Sequence, residues 1–136
     1  MIERTFPAVD ETLADALSFV EYELEKIDCP MKTVVQLNIA IDEMFSNIVK
    51  YGYKKEGKGP VTVKLIVKDD PKTVNVRFED RGIPYNPLTK QDPDVTLSAE
   101  DRSIGGLGIY LVKKSMDDVK YRYENGMNIL TLQKYL

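Results

Sequence analysis

The amino-acid sequence predicts an α+β fold, a two-layer sandwich in which a mixed, mostly antiparallel sheet is covered on one face by about three helices. Two consecutive segments, residues 10–27 and 31–51, repeat apolar side chains at steps of three and four, the period of an amphipathic helix. Two later segments, residues 61–78 and 119–132, alternate apolar and polar side chains around a short turn, which indicates β-hairpins with one buried face.

The first third of the chain is predicted to contain one strand and two helices. Residues 4–9 alternate weakly and suit an edge strand, since Pro7 is tolerated at an edge. Asp10 is expected to cap the first helix, and Cys29-Pro30 to separate it from the second. The second helix is expected to end near Gly52.

The remainder is predicted to hold two hairpins separated by a long loop and a short helix. The first hairpin turns at residues 69–72, and the second turns at Asn125-Gly126, a pair that favours a two-residue turn. Between the hairpins, residues 84–104 show little hydrophobic periodicity, and a loop of this length in a compact domain is typical of a lid or a binding loop. A helix is expected to begin near Ile109.

Size and composition indicate one globular domain, residues 1–136, with 43% hydrophobic and 30% charged residues. No apolar run approaches the length of a membrane span, and the first residues lack the apolar core of a secretory signal. We therefore expect a cytoplasmic protein without a membrane partner. The net charge of −3 gives no electrostatic reason to expect nucleic-acid binding.

The absence of histidine narrows the possible chemistry. With no histidine and only Cys29, the chain lacks a histidine general base, a Cys–His nucleophile, the residues of most zinc sites and an internal disulfide. Without a histidine, a carboxylate becomes the strongest candidate for a general base.

One candidate site lies on the second helix, where Glu43 and Asn47 are four residues apart and share a face. This face lies away from the apolar stripe that contains Ile41. Glu43 is the strongest candidate for a general base, and the Asn47 oxygen is a suitable ligand for a hard cation such as Mg²⁺. Taken alone, the pair also fits an ordinary solvated helix surface.

Two further patterns flank the long loop. Asp80 ends a predicted strand, where a carboxylate can accept a hydrogen bond from an exocyclic amine such as that of adenine, and Gly82 would let a ring approach the backbone. A glycine-rich turn precedes the third helix and would expose backbone N–H groups to a phosphate: Gly105, Gly106, Leu107 and Gly108. Each pattern alone also fits a plain turn or a flexible helix start.

In this order, the three patterns resemble the N, G1 and G2 boxes of the Bergerat ATP-binding fold, which gyrase-type ATPases and histidine kinases share. The closer similarity is to the small bacterial anti-sigma-factor serine/threonine kinases. It is carried by four segments that span nearly the whole chain: IDEMFSNIVKYGY (41–53), VRFEDRGIPYNPL (76–88), GGLGIYLVKKSMDDVKY (105–121) and NGMNILTLQK (125–134). Pro84 stands where the wider superfamily commonly has a second glycine, as it often does in the kinase-like branch.

The resemblance implies a role for each site residue. Glu43 would activate the attacking hydroxyl of a protein substrate, and Asn47 would help to hold Mg²⁺ and the phosphates of ATP. Asp80 would bind the adenine amine beside Gly82, and Thr131 would support that contact. The run from Gly105 to Gly108 would form the lid hinge and contact the phosphates.

The resemblance implies an ATP- and Mg²⁺-dependent regulator that phosphorylates a serine or threonine of a small antagonist (anti-anti-sigma) protein. It also implies a sigma factor as a second partner and a homodimer as the assembly. A histidine kinase is disfavoured because the chain lacks a histidine to accept phosphate. Two alternatives remain open at the level of sequence: a non-catalytic, nucleotide-dependent protein-binding module, and an interaction domain that no longer binds nucleotide.

Overall fold

The computed structural model describes residues 1–53, 59–89 and 107–136. In these residues a five-stranded sheet has the order β1-β2-β3-β5-β4, and every neighbouring pair is antiparallel. The strands are β1 (Ile2–Pro7), β2 (Pro60–Asp69), β3 (Lys72–Asp80), β4 (Asp118–Glu124) and β5 (Met127–Tyr135).

Three helices pack on one face of this sheet: α1 (Leu13–Lys26), α2 (Met31–Asn47) and α3 (Leu107–Ser115). The central helix, α2, contacts both α1 and α3. The predicted α+β sandwich and the order of its elements are therefore confirmed, although the sheet is antiparallel throughout its described strands rather than mixed.

The core lies between the helices and the sheet because alternate strand residues point towards the helices. In β3, Val74, Val76 and Phe78 are buried, and they face the buried apolar side of α2. The pairing of β3 with β5 sets Val76 opposite Leu132 and Phe78 opposite Leu130, so this face continues across the sheet. The last β3 residue on the same face is Asp80, which places a carboxylate at the end of the core.

The second helical segment ends at Gly52 as predicted, but two details at the helix ends were not foreseen. Asp10 does not cap a helix: it begins a short 3-10 turn, Asp10–Thr12, and no side-chain hydrogen bond caps that turn. The α-helical part of α2 ends at Asn47, and the chain continues as one wider π-helical turn, Ile48–Gly52. This wider turn places Gly52 beside the end of β3, where its carbonyl accepts a hydrogen bond from Ile83 N at 2.8 Å.

Both hairpins form as the alternation predicts. At the tip of the second, Asn125 and Gly126 have φ of 54° and 77°, the left-handed backbone that this pair favours in two-residue turns. In the described part of the chain, no helix has the length and apolar character needed to cross a bilayer.

Candidate functional site

Glu43 and Asn47 form a hydrogen-bonded pair on one turn of α2. The Asn47 amide Nδ2 donates to Glu43 Oε1 at 3.1 Å and to the Glu43 backbone carbonyl at 2.6 Å. Because both of these contacts use Nδ2, the carbonyl oxygen of the Asn47 side chain is left available as an acceptor or a metal ligand. Asn47 is 7% exposed, so this arrangement is fixed by its surroundings.

A pocket opens beside this pair, between α2, the end of β3 and the second hairpin. Its wall is largely apolar and carries three amide or carboxylate side chains: Asn47, Asp80 and Asn128. The other lining residues are Met44, Ile48, Gly52, Tyr85, Pro87, Tyr121 and Leu130. Apolar walls with a few fixed polar groups are typical of a site that holds an organic ring system.

Asp80 is held rigidly at the base of this pocket. Its Oδ1 accepts hydrogen bonds from Gly82 N at 2.9 Å and from Asn128 Nδ2 at 3.0 Å. Burial raises the pKa of the Asp80 carboxyl above its usual value, and these two hydrogen bonds partly oppose that rise. Within the described residues, no hydrogen bond reaches Oδ2, so this oxygen is the available acceptor for a ligand.

Gly82 is required by a close approach between two backbone segments. A β-carbon on Gly82 would lie 2.2 Å from the Gly52 carbonyl oxygen and 2.5 Å from its carbon. The π-helical turn and the segment after β3 therefore touch at this point. Tyr53 strengthens the junction, because its hydroxyl accepts from Arg81 N at 2.9 Å and donates to the Pro60 carbonyl at 2.6 Å.

Gly108, in the first turn of α3, lies against the carboxylate of Glu43. A β-carbon at Gly108 would fall 2.3 Å from Glu43 Cδ and 2.5 Å from Oε1. The absence of a side chain at position 108 thus makes room for the proposed base. Two residues of the predicted glycine-rich turn, Gly105 and Gly106, lie outside the described residues, and Leu107 is described only as the first residue of α3. The predicted lid, residues 84–104, is described only as far as Thr89.

The structure does not bring Thr131 to this pocket. Thr131 pairs with Arg77 and Lys120 across the sheet, whereas its neighbours Leu130 and Leu132 point into the core. Because side chains alternate along a strand, Thr131 lies on the opposite face of the sheet from Asp80. The β5 residue that does pair with Asp80 is Asn128, which the sequence analysis missed.

Five of the predicted site residues therefore converge in the described structure. Asn47 and Asp80 line one pocket, and Glu43 is hydrogen-bonded to Asn47. Gly82 lets the backbone of Gly52 approach on one side, and Gly108 leaves room for the Glu43 carboxylate on the other. The chemistry of this lining matches the base end of a purine nucleotide, because it offers an acceptor for an amino group among apolar walls. For Mg²⁺ the site offers one side-chain amide oxygen, that of Asn47, whose nitrogen is already used by Glu43, and oxygen is the ligand atom that this cation prefers.

Comparison with known proteins identifies the family. Residues 6–134 match the histidine kinase-like ATPase domain. The chain belongs to this family. The predicted recognition is thus confirmed, and ATP is the nucleotide that the family's name implies.

Relatives of known class are similar to the chain over most of its length. The chain is 34% identical over 109 residues to the serine-protein kinase RsbW of Listeria monocytogenes. This alignment covers 77% of this chain and 68% of the relative. It is 32% identical over 148 residues to the serine-protein kinase RsbW of Bacillus velezensis, covering 99% of this chain and 85% of the relative. The predicted enzyme class, a serine/threonine-protein kinase, is the class of these relatives.

Among solved structures, the RsbU and RsbW domains of Rv1364c from Mycobacterium tuberculosis align with the whole of this chain, with a TM-score of 0.66 and 15% identity. The chain corresponds to 33% of that larger protein. At this level of identity the similarity establishes the fold.

Proposed function

We propose that this domain is a protein kinase that transfers the γ-phosphoryl group of ATP to a serine or threonine hydroxyl of a small partner protein. The observation that carries the proposal is the Glu43–Asn47 pair at the edge of a pocket lined by Asp80. The serine-protein kinases among its relatives support the same reaction.

Glu43 is the proposed general base. The full sequence contains no histidine, and Glu43 is the carboxylate that hydrogen-bonds to Asn47 of the pocket wall. A base removes the proton from the attacking hydroxyl as its oxygen bonds to the γ-phosphorus, while the bond from that phosphorus to the bridging oxygen breaks and ADP leaves. The hydrogen bond from Asn47 holds Oε1 in place, so that the second oxygen, Oε2, can accept that proton.

Asp80 and Asn47 are proposed to hold the nucleotide. Asp80 Oδ2 accepts from the amino group of adenine, Gly82 permits the ring to lie close to the backbone, and the Asn47 side-chain oxygen binds Mg²⁺. When bound, ATP and Mg²⁺ supply the phosphoryl group and neutralise its negative charge. The run from Gly105 to Gly108 is proposed to contact the phosphates and to serve as the hinge of a lid over residues 84–104.

The proposed acceptor is a small antagonist protein of the anti-anti-sigma class, and the proposed location is the cytoplasm. A sigma factor as a second partner and a homodimeric assembly rest on the family resemblance alone. The single-domain organisation over residues 1–136 remains a prediction.

The proposal is tested with radiolabelled ATP, Mg²⁺ and a small protein of the antagonist class, to be sought among the neighbouring genes. We expect label on a serine or threonine of that protein. Glu43→Gln should lower the transfer rate about 100-fold or more, which is the usual contribution of a positioned base. ATP binding should persist in this variant, because the amide is isosteric and Asn47 is unchanged.

Two outcomes would favour the alternatives. ATP-dependent capture of the antagonist without transfer of label would make the domain a nucleotide-dependent binding module. A ligand that binds only the folded state must raise the melting temperature. No shift at saturating ATP and Mg²⁺ would therefore remove both the kinase and the nucleotide-dependent module, and leave an interaction domain.

A further inference from the structure

The buried side chain of Asn128 makes five hydrogen bonds around the carboxylate of Asp80. Its Nδ2 contacts Asp80 Oδ1 at 3.0 Å and two backbone carbonyls, Gly82 O at 3.3 Å and Ile83 O at 2.9 Å. Its Oδ1 accepts from Tyr85 N at 3.1 Å and from the hydroxyl of Tyr121. One side chain thus joins β3, β4, β5 and the segment that follows β3.

These contacts fix which way the amide points. Tyr85 N is a backbone donor, so the atom of Asn128 that faces it must be the oxygen. The carbonyls of Gly82 and Ile83 only accept, so the atom that faces them must be the nitrogen. Asn128 consequently presents a donor, never an acceptor, to Asp80.

The donor from Asn128 fixes the roles of the two Asp80 oxygens. Oδ1 accepts from Asn128 on one side and from Gly82 N on the other, which sets the plane of the carboxylate. Oδ2 is left as the acceptor in the pocket. A carboxylate held in this orientation accepts from a ligand amino group and repels a ligand carbonyl at the same place.

We propose that Asn128 is the positioning residue of the base-recognition site, holding Asp80 so that the pocket selects a nucleotide with an exocyclic amino group. The proposal rests on the proposed nucleotide-binding function of this pocket. Asn128 does not touch the ligand in this account; it acts through Asp80.

The test compares the dissociation constants of ATP and of purine riboside triphosphate, which lacks only the 6-amino group. Wild type should bind ATP about 10- to 100-fold more tightly than purine riboside triphosphate, because this is what one hydrogen bond to a charged acceptor contributes. In Asn128→Ser and Asn128→Leu this ratio should fall to within about 3-fold of unity, mainly through weaker binding of ATP. Partial unfolding lowers the apparent affinity for both nucleotides equally, so it leaves the ratio unchanged.

Asn75→Ser is the matched control, because Asn75 is also buried in the sheet but lies on the opposite face. Its ratio should equal that of wild type. If wild type prefers ATP to purine riboside triphosphate and Asn128→Ser prefers it equally strongly, the role of Asn128 is refuted, while the nucleotide site is still supported. If wild type binds neither nucleotide, the proposed function fails together with this inference.

Discussion

The carboxylate of Glu43 occupies the space that a side chain at residue 108 would fill, since a β-carbon there would lie 2.3 Å from Glu43 Cδ and Oε2. The helix that follows the predicted lid therefore reaches the proposed base directly. An added β-carbon at this position should therefore displace the Glu43 carboxylate rather than the backbone, because the end of a flexible side chain moves more easily.

Gly108→Ala should lower the rate of phosphoryl transfer about 10- to 1,000-fold with little loss of stability. The added methyl group displaces the Glu43 carboxylate from its 3.1 Å contact with Asn47, and a small misplacement of a catalytic group costs about this much. Alanine also favours a helix over glycine, by about 1 kcal/mol. Single-turnover kinetics and thermal denaturation check both parts, with Ser115→Ala at the other end of α3 as the control.

Gly82→Ala should act mainly on stability, in contrast to Gly108→Ala, which should act mainly on the transfer rate. Here the methyl group meets the backbone of Gly52 at 2.2 to 2.9 Å, and neither segment can move without breaking the bond from Ile83 N. We expect a loss of about 1–3 kcal/mol or more in the free energy of unfolding, as for other overpacked sites. Urea denaturation measures it. A variant as stable as wild type would show that the two segments do not touch.

Asp80→Asn should remove part of the pH dependence of stability. Burial raises the pKa of Asp80, so the folded protein keeps this proton to higher pH than the unfolded chain, whose pKa is about 3.9. The free energy of unfolding therefore falls as pH rises from that value through the folded pKa. The variant should be at least as stable as wild type at pH 7.5 while binding ATP poorly.

Denaturation of both proteins from pH 4 to 8 checks this expectation. The amide introduced by Asp80→Asn is isosteric with the carboxylate, and its oxygen can still accept from Gly82 N and Asn128, so the comparison isolates the charge. A wild-type curve that gains stability over the variant as pH rises would contradict the assignment of a raised pKa.

Tyr53→Phe should destabilise the protein by about 0.5–1.5 kcal/mol, the net value of an ordinary hydrogen bond. Its hydroxyl joins Arg81 N to the Pro60 carbonyl and so ties the end of α2 to β2 and β3. Tyr22→Phe is the control, because Tyr22 is 61% exposed. Equal midpoints for the two variants in urea would show that the Tyr53 contacts add no stability.

The helices and hairpins were predictable because their apolar periods are long and regular. The π-helical turn was not, since Ile48–Gly52 continues the helical pattern of α2 without interruption. The contact between Gly52 and Gly82 could not be predicted from the sequence either, because it depends on how two distant segments pack together.

The position of Asn128 beside Asp80 could have been predicted from the alternation of residues along β5. In β5 the core residues Leu130 and Leu132 have even numbers, so Asn128 is in phase with them and Thr131 is out of phase. Once β5 is paired with β3, that phase places Asn128 opposite Asp80. The resemblance suggested the strand, and alternation along the strand identifies the residue.

A crystal structure with Mg²⁺ and a non-hydrolysable ATP analogue tests the central claim most directly. We expect the amino group of adenine within hydrogen-bond distance of Asp80 Oδ2, Mg²⁺ at the side-chain oxygen of Asn47, and the terminal phosphate on the same side of α2 as Glu43. A nucleotide bound elsewhere, or bound here with Asn47 and Glu43 turned away from its phosphates, would contradict it.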